Sequence, residues 1–252
     1  MSEKEGERIA KRIARAGIAS RRDAEKIIAA GRVTVNGKKI DSPALNVTEN
    51  DLITIDGKAL GEPERARLWR YHKPIGLITS NRDPEGRTTI FEKLPPELPR
   101  VITVGRLDIN SEGLLLLTND GELARRLELP TNNWLRRYRV RANGKTTPET
   151  LAGLVNGVTI EGVRYGSILA TLDTEKGANT WLTVAIREGK NREIRKVMEH
   201  IGLKVNRLIR ISHGPFQLGT LARGGVEEVP ARVMRDQLGV EAAPPPKRQR
   251  HK

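Results

Sequence analysis

Residues 104–121 read Val-Gly-Arg-Leu-Asp-Ile-Asn-Ser-Glu-Gly-Leu-Leu-Leu-Leu-Thr-Asn-Asp-Gly. Within them Asp108 and Arg106 share a short loop between two apolar runs. A carboxylate presented by a loop between water-excluding walls is the usual setting of a catalytic acid or nucleophile. The same residue also suits a turn aspartate that bonds its own backbone. Side-chain chemistry alone leaves both readings open. Other chemistries find less support. The histidines, His72, His200, His213 and His251, are scattered without metal-ligand spacing, so no metal site is expected. Gly189 stands in a basic stretch but lacks the glycine spacing of a nucleotide-triphosphate loop. A hydrolase of N-glycosidic bonds would need a second acid to activate water, and none is convincingly placed.

The elements around the loop follow from local patterns. Val101-Ile102-Thr103-Val104 is β-branched and predicts a buried strand. Leu114 to Leu117, closed by Asn119-Asp120-Gly121, predict a second buried strand or a short core helix. Residues 122–129 form a helix that stops before Pro130. Residues 134–141 alternate basic with apolar or aromatic side chains, as a strand does. Residues 148–160 hold a short helix and a turn at Gly157. Trp181 to Ile186 alternate as another strand, followed by a basic stretch from Arg187. Ile194, Val197, Met198 and Ile201 then mark one buried helix face. Position 195 lies off that face. A last strand covers 206–211, and His213 in the turn after it reads as a surface histidine. Upstream, Leu68 to Thr79 predict two strand segments broken at Pro74.

The N-terminal part differs in character. Ile9, Ile13 and Ala16 have helical spacing from Glu7 to a Gly17 cap. Ser20 predicts the N-cap of a second helix over 21–30, with Asp23 three residues on. Asn36-Gly37 and Asp56-Gly57 each follow a short β-branched run and predict hairpins. Residues 59–67 are polar, contain Gly and Pro, and mark a domain boundary.

Charge points to the partner. The chain of 252 residues carries 45 Lys and Arg against 31 Asp and Glu, a net charge of +14. That favours nucleic acid over a membrane, since no apolar span or basic amphipathic anchor is present. The absence of cysteine excludes disulfides and suits a reducing, cytoplasmic setting. Residues 241–252, rich in Pro, Lys and Arg, are expected to be disordered and to add non-specific attraction to RNA.

Two resemblances sharpen these readings. Gly-Arg-Leu-Asp at 105–108 and Ser-Glu-Gly-Leu-Leu-Leu-Leu-Thr-Asn-Asp-Gly at 111–121 resemble the signature of the RsuA-type ribosomal RNA pseudouridine synthases. Lys73-Pro74 with Gly76, the Arg-Tyr-Arg-Val strand and Glu-Gly-Lys-Asn-Arg-Glu-Ile-Arg at 188–195 are similar to further motifs of that family. The resemblance implies that Asp108 is the catalytic residue and that Tyr138 lies against the target nucleotide. It also implies that Arg195 ion-pairs with Asp108 and that Arg106 stands at the flipped nucleotide. Lys190, Asn191 and Arg192 would meet RNA. Where His213 stands, the family often has a bulkier phenolic residue. Residues 8–37 resemble the S4 RNA-binding module, in which Arg8, Arg12, Arg15, Ser20, Arg21 and Arg22 would face phosphates.

The implied architecture is α+β, with an S4 unit over 7–60 and a catalytic domain over 67–238 built on a mixed, mainly antiparallel sheet. The implied reaction isomerises uridine in ribosomal RNA or a pre-ribosomal particle, by a monomer. Breaking the C1′–N1 bond, turning the base and joining C5 to C1′ involves no net redox change, so no cofactor is implied. Large-subunit RNA is favoured. Small-subunit RNA, or a non-catalytic ribosome-assembly role, is the alternative.

Overall fold

The computed structural model describes residues 6–62 and 64–239. The expectation for the tail at 241–252 lies outside the described residues.

The first unit runs β1 (Glu7–Arg8), α1 (Ile9–Arg15), α2 (Arg21–Ala29), β2 (Val33–Val35), β3 (Lys38–Ile40), β4 (Asn46–Val47), β5 (Ile53–Ile55) and β6 (Lys58–Ala59). Helix α1 starts two residues later than its apolar spacing suggests, because β1 pairs with β4. Ser20 caps α2, its hydroxyl accepting from the Asp23 amide at 3.1 Å. Asn36-Gly37 and Asp56-Gly57 all have positive φ, the backbone that tight hairpins of matching twist require. Ile9, Ile13, Ala24 and Ile28 pack on Val33, Val47 and Ile53 in a core of their own.

The second unit runs β7 (Leu68–Lys73), β8 (Ile102–Val104), β9 (Glu112–Thr118), α3 (Gly121–Glu128), β10 (Arg136–Asn143), α4 (Pro148–Gly153), β11 (Val158–Ile160), β12 (Val163–Tyr165), β13 (Ile168–Lys176), β14 (Asn179–Ile186), α5 (Glu193–His200), β15 (Lys204–His213), β16 (Phe216–Gln217), β17 (Val226–Glu228) and α6 (Ala231–Leu238). Its main sheet has the order β13-β14-β10-β15-β9-β7-β17, with β16 added to β15 and β8 to β9. Neighbours pair antiparallel except β9 and β15, which are parallel. The fold is α+β with a mixed, mainly antiparallel sheet.

The four leucines settle as strand, not helix. Leu114 and Leu116 face a cluster with Leu123 and Leu127 of α3 and Met234 and Leu238 of α6. Leu115 and Leu117 face the opposite cluster, with Ile194, Val197 and Met198 of α5. A strand covered on both faces needs no polar alternation, which explains the unbroken apolar run. Beyond Pro74 the expected second strand segment is absent, and Ile78 makes one isolated bridge to Thr89.

Strands β9 and β15 touch over only two registers, Glu112 with Ile209 and Gly113 with Arg210. Gly113 has φ +107°, and a Cβ there would lie 2.3 Å from the Arg210 carbonyl oxygen. Only glycine allows this approach. The seam it makes joins the β7-β8-β9-β17 half of the sheet to the β10-β13-β14-β15 half.

Candidate active site

The loop that bears Asp108 is held from below by a buried cation. Lys73, the last residue of β7, is fully buried. Its ammonium donates to the carbonyls of Pro74, Asp108 and Ser111 at 3.1, 3.1 and 3.0 Å. Burial pulls its pKa down to about 8, while the charges of Asp108 and Glu112 oppose that shift. The Ser111 amide closes a turn onto the Asp108 carbonyl at 3.0 Å. The hydroxyl of Thr79 donates to the Leu107 carbonyl at 2.8 Å. Glu128 of α3 accepts from the Gly105 amide at 2.6 Å. With its backbone fixed at several points, the loop presents the half-buried Asp108 to a cleft of about 440 Å³.

The facing wall comes from the other half of the sheet. Tyr138 on β10 is buried and lines the cleft. The β10–β15 register shifts between Arg137 and Tyr138, an irregularity of the kind that re-aims a side chain beside a site. Opposite Tyr138 in register is Arg210. Its guanidinium is buried, and Nε donates to the Leu114 carbonyl at 2.7 Å, across the seam. Burial pulls the pKa of Arg210 down, and the Tyr138 oxygen acts in the opposite direction.

Arg195 reaches the aspartate loop from α5, but not as the resemblance implies. Its guanidinium donates to the Asn110 carbonyl at 2.7 Å and the Val205 carbonyl at 3.1 Å. No ion pair with Asp108 within 4.0 Å is formed, although Asp108 is close enough for its charge to act on the guanidinium. Arg195 therefore clamps the aspartate loop through its backbone. Burial, followed by the nearby Arg192, pulls its pKa down.

The rim between β14 and α5 is internally braced. Glu188 accepts from the Gly166 amide and from the Lys190 ammonium, both at 2.6 Å. Glu193 accepts from the Lys190 amide at 2.9 Å. Burial and then the Glu188 charge lift the Glu193 carboxyl to about 7, against the Lys190 amide. The Lys190 ammonium is spent on Glu188 and the Arg164 carbonyl. Asn191, Arg192 and Arg106 are exposed and line the cleft, and their side chains have no hydrogen-bond partner among the described residues.

The N-terminal basic residues divide. The side chains of Arg12, Arg21 and Arg22 make no hydrogen bond or ion pair among the described residues. Arg8 bonds the Ala44 carbonyl, and Arg15 pairs with Glu7 at 3.1 Å and Asp120 at 3.8 Å. Lys11 pairs with Glu122. The Ser20 hydroxyl is engaged with Asp23. Part of the expected phosphate-facing set is thus used to build the unit and seat it on α3.

His213 corrects the expectation of a surface residue. It is 2 % exposed and lines the cleft, because β15 continues two residues beyond the expected end and carries it inside. Lys73 and Arg210 were read as parts of motifs or strands without a place in the site. Their signal was parity: Leu208 points inward, so Arg210, two residues along the same strand, must do so as well.

Known proteins resolve what this assembly belongs to. Residues 67–200 match the sequence profile of RNA pseudouridylate synthase, and residues 7–53 that of the S4 domain. An RNA pseudouridine synthase of Rickettsia felis is 48% identical over 228 residues, covering 90% of this chain and 99% of that protein. The ribosomal large subunit pseudouridine synthase B of Pseudomonas aeruginosa is 42% identical, covering 94% of this chain and 64% of that one. A crystal structure of a pseudouridylate synthase superposes with a TM-score of 0.62 at 25% identity, covering 90% of this chain and 98% of that one. The chain therefore belongs to the RNA pseudouridylate synthase family, as an enzyme with an S4 domain ahead of its synthase domain.

Proposed function

We propose that this enzyme converts one uridine of large-subunit ribosomal RNA to pseudouridine, with Asp108 as the catalytic carboxylate. The observation that carries the reading is Asp108 itself, set on a pinned loop and facing Tyr138 across a cleft rimmed by unpaired Arg106 and Arg192. The large-subunit assignment is supported by the relatives of Pseudomonas aeruginosa, Haemophilus influenzae and Yersinia pestis, each named a ribosomal large subunit pseudouridine synthase B.

In this reading Arg12, Arg21 and Arg22 of the S4 unit dock phosphates, and Arg106, Asn191 and Arg192 receive the strand at the cleft mouth. The target nucleotide leaves its stack and enters, at a cost of a few kcal/mol that rim contacts offset. Tyr138 lies against the base. Asp108 acts in ionised form to help break the C1′–N1 bond. The freed uracil turns within the cleft, its C5 bonds to C1′, the C5 proton is released and N1 takes up a proton, so the product is an isomer of the substrate. Arg195 and Lys73 keep the carboxylate in place throughout.

Mapping pseudouridines in ribosomal RNA from cells with and without the protein tests the substrate. One large-subunit site should disappear and return with the parent gene. Asp108→Asn should not restore it, because the isostere keeps shape but loses charge. Purified Asp108→Asn should bind RNA as the parent does, with turnover reduced by far more than about tenfold. A lost site in small-subunit RNA would reassign the substrate, and near-parental turnover would remove Asp108 from the chemistry.

A further inference from the structure

One polar group in the cleft is used neither by the fold nor by the reaction as set out above. His213 is buried, and neither ring nitrogen has a hydrogen-bond partner. Buried polar groups are nearly always paired, so this one calls for a partner that the protein alone does not supply. The ring is held firmly. It meets Trp134 edge-on, with centroids 5.7 Å apart and planes at 90°. The neighbouring Gly214 has φ +55°, and a Cβ there would lie 2.5 Å from the indole. The turn is thus shaped around this packing.

The surroundings define the chemistry the ring can offer. Arg136 stands opposite His213 in the β10–β15 register, and Arg210 lies three residues before it. Both line the cleft, and Arg210 has a second unpartnered atom there, Nη2. Burial, then the charges of Arg210 and Arg136, pull the imidazole pKa down to about 2. The imidazolium form is therefore disfavoured, and the ring acts here as a neutral imidazole. A neutral imidazole offers one N–H donor, and a guanidinium offers only donors. Two donor-bearing side chains that line one cleft suit a ligand edge rich in carbonyl oxygens, and uracil carries two.

We propose that His213 is a specificity-determining residue whose ring N–H donates to a carbonyl oxygen of the flipped uracil, beside Arg210. The proposal rests on the cleft being the seat of the target uridine.

Sulfur accepts hydrogen bonds poorly, so thio-substituted RNA tests it. Single-turnover rates at saturating enzyme are measured on RNA bearing uridine, 2-thiouridine or 4-thiouridine at the mapped position. The parent should be slowed about tenfold by one of the two thio groups, the order expected when one hydrogen bond is lost. His213→Phe, which keeps a ring against Trp134, should be about tenfold slower on unmodified RNA, with unchanged RNA affinity. It should show no further slowing with that same thio group, the mark of direct coupling. His213→Gln, which restores an N–H, should recover part of the rate. A parent indifferent to both thio groups overturns the proposal, and this arm needs no variant to fold. So does a His213→Phe enzyme in which both penalties simply multiply. Pseudouridine formation without coupling removes His213 alone. No pseudouridine from the parent on unmodified ribosomal RNA overturns the reading of the cleft and this proposal with it.

Discussion

Arg195 binds two carbonyls rather than one carboxylate, and that changes what its loss should do. Its fork spans Asn110 on the aspartate loop and Val205 at the start of β15. A lysine offers a mobile point charge and cannot hold both oxygens in fixed geometry. Arg195→Lys should therefore cut the saturated single-turnover rate by about a hundredfold through misplacement of Asp108, with RNA affinity little changed. A variant that binds RNA more weakly yet turns over at the parental saturated rate would instead make Arg195 a phosphate contact. Sequence motifs pointed to Asp108, Tyr138 and Arg195; the structure has Asp108 and Tyr138 lining one cleft and Arg195 bonded to the backbone of the aspartate loop. They did not reveal what Arg195 holds, because a motif records residue types and not which atom accepts. Nor did they reveal His213 inside. A histidine beside Gly-Pro looks like turn chemistry, and strand β15 outlasts its visible alternation.

Strand β7 shows how one element couples stability to activity. Lys73 has an ordinary pKa of 10.5 when unfolded and about 8 when folded. Below pH 8 both states carry the proton, and the cost of burying charge is fully present. Between pH 8 and 10.5 the folded state has released a proton that the unfolded chain still binds, so this residue's contribution to stability rises with pH. Relative to Lys73→Met, the parent's unfolding free energy should gain on the order of 3 kcal/mol across that window. Tyr71, lifted to about 12 by burial, acts in the opposite sense above pH 10 and cancels in the difference. Urea titrations of both proteins at each pH provide the measurement, and parallel curves would refute the assignment. The same deprotonation weakens three hydrogen bonds under the aspartate loop, so the rate should fall where stability rises. Elements with local signals were legible: the Asn-Gly and Asp-Gly hairpins, the Ser20 cap, and the α5 stripe. Strand β13 was not, because it is an edge strand that turns most of its residues to solvent, so its apolar alternation is faint even though it pairs with β14 in a local hairpin.

At the scale of the whole molecule, the S4 unit and the catalytic domain have separate hydrophobic cores and meet through charge. Lys11 and Arg15 of α1 reach Glu122 and Asp120 at the start of α3. Those acids also suit a helix N-terminus on their own, so α3 does not depend on the S4 unit for its charge balance. Removing residues 1–60 should leave a folded domain that binds RNA more weakly, with a salt slope smaller by about three contacts if Arg12, Arg21 and Arg22 meet phosphates. Its single-turnover rate at saturating protein should stay near the parental value. A soluble truncated protein that is inactive at every concentration would show that the S4 unit also shapes the site. The two-residue seam at Gly113 has a further consequence, for when the enzyme becomes an enzyme. Asp108 and Lys73 belong to one half of the sheet, and Tyr138, Arg195, Arg210 and His213 to the other. The segments that meet at the seam are about a hundred residues apart, and contacts of such separation form late in folding. A chain emerging from synthesis carries its aspartate long before the wall that faces it, so it cannot act on any uridine until β15 has closed the seam.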